Sequence, residues 1–208
     1  MLGAPAEGVY HYRLEGSESV VGIFSRPFPS SATVSIHDRR QTAAGTEVTL
    51  DVTYIPHGHE GRVIASYGPD GMRTTFEGGS IVFLSLLSQV SQSNYTPSVV
   101  TCPYPSRAAW SGSSDAHDPS SGVVSRTEHY EGTFAGTETV DAGGRTVDTL
   151  VYEWRSTFTG SERGTRTVRY WLDPARGLWV RWTEKIHGER GPIVYDDEAT
   201  LMLADGPM

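Results

Sequence analysis

The best candidates for chemistry in this sequence are short stretches that bring histidine, carboxylate and hydroxyl groups together. Residues 57–60 read His-Gly-His-Glu, and two imidazoles beside a carboxylate can hold zinc or nickel. The stretch follows Pro56 and precedes a predicted strand, which is typical of a hairpin turn and unlike the helical two-histidine motif of metalloproteases. We therefore predict a surface turn here, with no metal and no cofactor.

A second stretch, Ser-Ser-Asp-Ala-His-Asp at residues 113–118, offers a hydroxyl, an imidazole and carboxylates. Catalytic triads hold these groups on separate, rigid elements. Here all of them fall in one segment rich in serine, glycine and proline, and the chain has no Gly-x-Ser-x-Gly elbow. The pattern favours a solvated loop within an irregular segment at residues 94–121.

Two acidic stretches could supply paired carboxylates for glycoside hydrolysis or for calcium, residues 128–131 (Glu-His-Tyr-Glu) and 195–198 (Tyr-Asp-Asp-Glu). On a strand, Asp196 and Glu198 share a face opposite Asp197, so only two carboxylates would converge. We interpret both stretches as exposed polar faces. Since no pattern brings a complete set of catalytic groups together, the sequence predicts a protein that is not an enzyme.

The chain has one cysteine, Cys102, which cannot close an internal disulfide. It lies in an extended Thr-Cys-Pro-Tyr-Pro segment at residues 101–105, and only Arg107 is near enough in sequence to stabilise a thiolate. We expect a packed structural thiol, not a nucleophile.

Composition indicates one β-rich domain over residues 1–208. Hydrophobic residues make up 37% of the chain, and 23 glycines and 12 prolines suit many strands joined by turns. The formal net charge of -8 argues against nucleic acid and against an anionic membrane surface as partners. No stretch is long enough to span a bilayer. Residues 1–6 lack the features of a signal peptide and lead abruptly into a strand, so we expect an extracytoplasmic domain whose export signal has been removed.

The elements that would position a site are clearest in a meander of three antiparallel strands, at residues 146–158, 165–172 and 178–186. Each run is rich in β-branched and aromatic residues. Turns at residues 160–164 and 173–177 separate the runs, and both contain glycine. Consecutive strands with such turns predict neighbouring strands of one sheet.

Alternation favours one register for the last two of these strands. One face would carry the apolar pairs Leu172–Leu178, Tyr170–Val180 and Val168–Trp182. The other face would carry Arg169, Trp171, Trp179 and Arg181. The opposed arginines would repel each other unless each guanidinium stacks on an indole and Glu153 adds a negative charge. This face is interpreted either as a solvated surface or as a partner-binding surface.

The period of the apolar residues changes after the Gly-Gly pair at residues 78–79. Ser80 can cap a helix that runs from Ile81 to Gln92 with apolar side chains at helical spacing. We predict a mainly β fold in which a single large curved antiparallel sheet, an open half-barrel, wraps around this one principal helix. The candidate apolar cavity between them would be lined by Phe83, Leu86, Leu87, Val90, Tyr152, Trp154, Tyr170 and Trp182.

Part of the sequence resembles a known family. Residues 168–174 (Val-Arg-Tyr-Trp-Leu-Asp-Pro) and 177–182 (Gly-Leu-Trp-Val-Arg-Trp) resemble the sheet of LolA/LppX-like envelope proteins and of related periplasmic domains. The segments 8–12 and 195–203 resemble secreted or membrane-anchored actinobacterial proteins. The resemblance implies an open, curved sheet around helix and, in some relatives, an apolar cavity that carries acyl chains.

Two hypotheses for function follow. The first is a non-enzymatic, envelope-exposed or secreted binding module for a lipid or another apolar ligand. The alternative is a protein-interaction domain that uses the tryptophan and arginine face toward an envelope partner, or an extracytoplasmic sensor or regulator domain. A carrier needs an internal cavity, whereas an interaction domain needs a filled core and an exposed aromatic patch.

Overall fold

A computed structural model describes residues 2–21, 24–55, 59–83, 87–105 and 109–207. These residues form thirteen β-strands and no helix. Among them there is accordingly no helix long and apolar enough to cross a membrane. The strands are β1 (Gly8–Val20), β2 (Phe24–Pro27), β3 (Ser31–Thr42), β4 (Gly45–Ile55), β5 (His59–Gly68), β6 (Gly71–Phe83), β7 (Leu87–Pro103), β8 (Trp110–His117), β9 (Val124–Ala142), β10 (Arg145–Gly160), β11 (Arg163–Asp173), β12 (Leu178–Arg190) and β13 (Ile193–Asp205).

Alternating side chains explain why these segments form strands with one buried face. In β1, Tyr10, Tyr12 and Leu14 are buried, and the residues between them are exposed. In β11, Val168 and Tyr170 are buried in the same alternating manner. A period of two is expected where one face of an antiparallel sheet packs on a core and the other meets solvent.

The strands form one antiparallel sheet in which most strands pair with the next strand in the chain. The exception is the step from β2 to β3, which are not neighbours: β1 lies between them and pairs with β3 through Gly8–Arg13 and with the short β2 through Ser17–Val20. On its other side β1 pairs with β13, from His11 to Val20. This pairing closes every strand except β2 into a barrel of twelve strands. The predicted open half-barrel is therefore wrong, and closure removes the two free edges that an open sheet would expose.

The predicted helix from Ile81 to Gln92 is also wrong. Residues 81–83 end β6 and residues 87–92 begin β7, and the two strands pair as a hairpin. Residues 84–86 lie outside the described residues. A short apolar run fits a buried strand as well as a helical stripe, and its spacing alone does not separate the two. Pairing with β5 on the far side of β6 extends the sheet through this run.

The predicted irregular segment at residues 94–121 is largely strand. The strand β7 continues to Pro103, and β8 occupies Trp110–His117. Serine and glycine do not favour strands by themselves. In β8 they are held by a ladder to β9 in which Ser113 lies opposite His129, so tertiary pairing overrides the local preference.

The register between β11 and β12 differs from the predicted one. Tyr170 lies opposite Trp182, whereas Leu172 lies opposite Trp179, so a β-bulge at Val180 adds one residue to β12. A bulge shifts the alternation by one position and leaves no mark in the apolar pattern of the sequence. Tyr170 and Trp182 do share the inner face, but the predicted pairs are wrong, and Trp179 faces into the barrel.

Apolar side chains fill the half of the barrel near the turn between β11 and β12. Leu2 is buried there, and the Gly3 N–H donates a hydrogen bond to the Pro174 carbonyl at 3.5 Å. The Tyr12 hydroxyl donates to the Trp179 carbonyl at 2.7 Å. The same cluster includes Tyr67, Met72, Cys102, Tyr152, Leu172 and Leu201. The expectation of a packed structural thiol at Cys102 is confirmed by its burial.

Candidate ligand cavity

The other half of the barrel holds a cavity of about 280 Å³. Its walls come from the inward faces of strands on all sides of the barrel, from β4 to β7 and from β9 to β13. The lining separates into an aromatic part and a charged part. The aromatic side chains are Tyr54, Tyr95, Trp154, Phe158, Tyr170, Trp179, Trp182 and Tyr195.

Three rings of the aromatic wall contact each other in sequence. Tyr170 stacks on Trp179 with centroids 5.1 Å apart, and Trp179 meets Trp182 edge to face at 5.8 Å. Trp182 in turn meets Tyr12 of β1 edge to face at 5.2 Å. Such offset and T-shaped contacts are favourable for aromatic pairs. They fix a rigid apolar surface, and the bulge in β12 is what brings Trp179 into it.

The charged part is organised around Arg166 of β11. One of its guanidinium nitrogens donates to Glu77 at 2.8 Å, and Nε lies 3.1 Å from a carboxylate oxygen of Glu184. Burial raises the pKa of Glu77, but the charges of Arg166 and Arg126 outweigh burial and hold it below its ordinary value. Burial raises the pKa of Glu184 above its ordinary value despite the attraction of Arg166. One guanidinium is thus shared between two carboxylates on opposite sides.

Arg126 of β9 forms a second centre in the same network. It donates to Glu162 at 2.9 Å and to the Tyr95 hydroxyl at 2.7 Å, and its guanidinium lies over the Phe158 ring. The Tyr95 hydroxyl donates to Glu77 at 2.9 Å. Through Glu77, both arginines therefore belong to one connected network, in which buried charges are stabilised by partners of opposite sign.

Asp197 of β13 stands apart from this network. It lies directly opposite Glu18 in the β1–β13 pair. No hydrogen bond or ion pair to Asp197 occurs within the described part of the chain, and its Oδ1 is buried without a partner. Burial, then the charges of Glu184 and Glu18, raise the pKa of Asp197 to about 8 despite the opposing charge of Arg166. This carboxyl group is therefore mostly protonated at neutral pH.

Glu18 is occupied by other partners. His59 Nε2 lies 2.8 Å from one of its carboxylate oxygens, and Arg26 bonds the other. Burial raises the pKa of Glu18, but His59 and Arg26 outweigh burial and lower it below its ordinary value. Glu18 and Asp197 face each other, but only Glu18 has cationic partners. The pKa of Glu18 is therefore lowered, and that of Asp197 is raised.

The sequence-predicted cavity residues divide into three groups. Trp154, Tyr170 and Trp182 line the cavity. Tyr152 is buried in the apolar half, where its hydroxyl donates to the Pro103 carbonyl, and it does not line the cavity. The remaining four candidates came from the predicted helix: Val90 is exposed, Phe83 and Leu87 lie in the β6–β7 hairpin, and Leu86 falls outside the described residues.

The predicted partner-binding face is only partly formed. Trp171 lies between two guanidinium groups, with Arg169 at 4.9 Å and Arg181 at 4.6 Å from its ring. Arg169 also lies 3.4 Å from Glu153, so the predicted relief of the arginine repulsion is confirmed. A shared face for Trp171 and Trp179 is wrong, because Trp179 points into the cavity and Trp171 is buried. No exposed pair of tryptophans results.

The described parts of the histidine and serine motifs lie on strands, with His59 at the start of β5 and residues 113–117 in β8. His59 is buried against Glu18 inside the barrel and does not sit at a surface turn, while residues 57 and 58 lie outside the described part. Ser114 is buried and donates to the Pro97 carbonyl at 2.5 Å. Among the residues that the structure describes, no three metal-binding side chains converge.

The interpretation of the acidic stretches as exposed faces is wrong for two carboxylates. Glu128 is almost fully buried, with one oxygen accepting from Ser156 at 2.6 Å, and Asp197 faces the cavity. A signal for Asp197 was present in the sequence. Ala199 and Leu201 are apolar at even spacing after it, and extending their period of two backward places Asp197 on the inner face.

No protein-family model and no curated protein sequence matches the chain. Among solved structures it is similar to a candidate lipoprotein from Parabacteroides distasonis ATCC 8503, with a TM-score of 0.51 and 14% identity over 99% of this chain and 97% of that chain. It is also similar to the hypothetical lipoprotein YmcC from Escherichia coli, with a TM-score of 0.43 and 13% identity over 98% and 90%. The first likeness shows a shared fold.

Proposed function

We propose that the protein is a non-enzymatic binding module of the cell envelope that holds a small ligand inside the barrel. The observation that carries this proposal is the cavity of about 280 Å³ with a rigid aromatic wall beside buried polar groups. Ligand sites are typically concave and mostly apolar, with a few polar groups that fix orientation. This arrangement suits a ligand with one apolar part and one polar group.

The size and charge of the cavity limit which lipids or other apolar ligands it could bind. Typical small-molecule sites have volumes of about 300–1,000 Å³, so this cavity suits a small molecule better than an extended acyl chain. A hydrocarbon chain beside Arg166 and Glu184 would also leave charged groups without solvent or partners, which is costly. An apolar ligand without a polar group is therefore disfavoured.

Two observations support binding over catalysis and an envelope location. The arginines inside the cavity, Arg126 and Arg166, are engaged in ion pairs with carboxylates, and burial raises the pKa of the Cys102 thiol, which keeps it unreactive. The Parabacteroides structure that shares this fold is described as a candidate lipoprotein, and lipoproteins are anchored in the envelope.

The test is a ligand screen on the folded chain by native mass spectrometry and tryptophan fluorescence. We expect ligands to change the fluorescence, and Trp179→Phe to reduce that change because Trp179 lines the cavity. Trp171→Phe is the matched control, since Trp171 lies on the opposite face of the same hairpin. A broad library of small molecules that yields no bound species would refute the proposal, as would a response that depends on Trp171 alone.

A further inference from the structure

The charges of the inward-facing cavity lining do not balance. Five carboxyl side chains and two guanidinium groups point inward, because Glu60 and Arg62 alternate with His59, Gly61 and Val63 of β5 and face outward. Each inward guanidinium is already engaged: Arg166 with Glu77 and Glu184, and Arg126 with Glu162 and the Tyr95 hydroxyl. The remaining basic side chain of the described lining, His59, bonds Glu18. The basic groups inside the described cavity are thus all paired.

Two of the acidic groups, in contrast, still have buried oxygen atoms without a hydrogen-bond partner among the described residues. Asp197 has no partner in the described part of the chain. Glu128 is 1% exposed, and its Oε2 accepts no hydrogen bond, although Arg126 lies 3.8 Å away. Buried acceptors without a partner are unfavourable, and more so when charged. The unmatched groups of the cavity are therefore carboxyl oxygens, and Asp197 becomes negative as the pH rises through about 8.

The aromatic wall and Asp197 lie in the same cavity at different heights along the strands. Across the β12–β13 ladder, Ile186 lies opposite Asp197, Glu184 lies opposite Ala199, and Trp182 lies opposite Leu201. Glu184 therefore stands between the level of Asp197 and the level of Trp182 on the inner face. A carboxyl group at one level of a cavity with aromatic walls at another suits a ligand with a cationic group and an apolar body.

We infer that the ligand of this cavity is a small organic cation, a primary amine whose ammonium group bonds Asp197 and whose apolar part extends along the cavity toward the aromatic wall. This inference rests on the proposed function and adds the chemical class of the ligand. The ammonium supplies the donors and the charge that Asp197 lacks, and Glu184 lies close enough to add to the attraction. An alcohol of the same size donates a hydrogen bond to Asp197 but brings no charge, and a carboxylate analogue is repelled.

Three probes that share a phenyl ring and a short linker test the charge: 2-phenylethylamine, 2-phenylethanol and phenylacetate. Calorimetry and native mass spectrometry on the folded chain at pH 8.5 should show the amine binding at least about tenfold more tightly than the alcohol. Phenylacetate should bind most weakly. Asp197→Asn should bring the amine to the level of the alcohol.

The matched control is Asp196→Asn. Asp196 is the preceding residue in β13, but it faces outward, is exposed, and bonds His187 Nδ1 at 2.7 Å. This substitution also removes one negative charge, and it should leave amine binding unchanged. Equal losses in the two variants would show that only the net charge matters and would overturn the assignment of Asp197.

Binding of the amine should also strengthen as pH rises. An alkylammonium keeps its proton up to about pH 10, whereas Asp197 ionises at about pH 8. The charged and titratable groups that face Asp197 are Glu184, Glu18, Tyr54 and Arg166. We expect the affinity to rise about tenfold or more between pH 6.5 and 8.5, and Asp197→Asn to flatten that profile.

The outcomes separate the two proposals. If the alcohol or phenylacetate binds as tightly as the amine, or if Asp197→Asn leaves amine binding intact, the cation assignment is overturned and the binding function stands. The same holds if none of the three probes binds while the small-molecule library yields another ligand. If neither the probes nor the library bind, both proposals are overturned.

Discussion

Replacement of Asp197 by asparagine should stabilise the folded protein at neutral and alkaline pH and destabilise it slightly near pH 4. The reason is the pKa of this carboxyl group, which burial and the charges of Glu184 and Glu18 raise from 3.8 to about 8. Because the folded state holds the proton more tightly than the unfolded chain, the stabilisation from this group is fully present below pH 3.8. It is lost as the pH rises to about 8.

The magnitude follows from the interval between the two pKa values. Each pH unit inside that interval changes the free energy of unfolding by about 1.4 kcal/mol. The wild-type chain therefore loses about 4 kcal/mol between pH 3.8 and 7 and about 6 kcal/mol by pH 8. An asparagine amide remains neutral throughout, but its burial costs about 1–3 kcal/mol. We expect Asp197→Asn to gain about 3–5 kcal/mol at pH 8.5, or roughly 6–20 °C in Tm.

Urea unfolding followed by tryptophan fluorescence at pH 4.5, 7 and 8.5 measures this difference. Other carboxylates also titrate in this range, so the informative quantity is the difference between variant and wild type at each pH. Asp196→Asn is the control, and its exposed ion pair with His187 should be worth less than about 1 kcal/mol. A variant that is less stable than wild type by the same amount at every pH would refute the reasoning, because Asp197 would then be ionised and paired in the folded state.

Three further changes test other parts of the structure. Glu77→Gln should destabilise the protein by about 3–5 kcal/mol in urea, since it removes one of the two carboxylates that pair with the buried Arg166; an unchanged midpoint would contradict the network. Gly177 has a φ of 62°, and a Cβ there would collide with a backbone oxygen of the N-terminal segment, whereas Gly191 has a φ of 58° and open space around it. Gly177→Ala should therefore lower the stability by about 3 kcal/mol or more and Gly191→Ala by only about 1 kcal/mol, and equal shifts in Tm would argue against the collision. The buried Cys102 thiol should react with Ellman's reagent only after unfolding; rapid labelling of the folded chain would show that the barrel interior is accessible there.

The strands of the meander could be predicted from the sequence because their signals are local. The predicted runs 146–158, 165–172 and 178–186 fall within β10, β11 and β12. Alternating apolar residues and turn chemistry act over a few positions, so they are visible without tertiary information. The same locality explains the wrong helix, since the apolar run near residues 81–92 satisfies both periods and only pairing with β5 and β7 decides between them.

Barrel closure could not be predicted in the same way. It depends on pairing between β1 and β13, at opposite ends of the chain, from His11 to Val20. No local pattern specifies which distant strand will cover an edge, although an uncovered edge is unfavourable in any sheet. The bulge at Val180 is a similar case, because one inserted residue changes the face of Trp179 while the sequence pattern on either side stays regular.

The aromatic part of the candidate site could be predicted from the sequence, but the charged part could not. Trp154, Tyr170 and Trp182 were identified because large aromatic residues are usually buried. The charged half was missed, because acidic residues are mostly exposed and Glu128 and Asp197 were interpreted as surface groups. That rule fails where an acidic residue occupies an inward-facing position of a regular strand. Such exceptions concentrate at functional sites.

The charged interior is difficult to explain by stability alone. Replacing a buried ion-pair network with well-packed apolar residues is often neutral or stabilising, so the pairs of Arg166 and Arg126 are weak support for a purely structural role. Asp197 is a stronger case, because its burial beside Glu18 and Glu184 destabilises the folded chain at neutral pH and the charge of Arg166 offsets only part of that cost. Strained or destabilised groups of this kind persist where activity requires them. A bound ammonium group would convert the least favourable carboxyl group of the barrel into an ion pair, so ligand binding and stability should rise together in the wild-type chain and become uncoupled in Asp197→Asn.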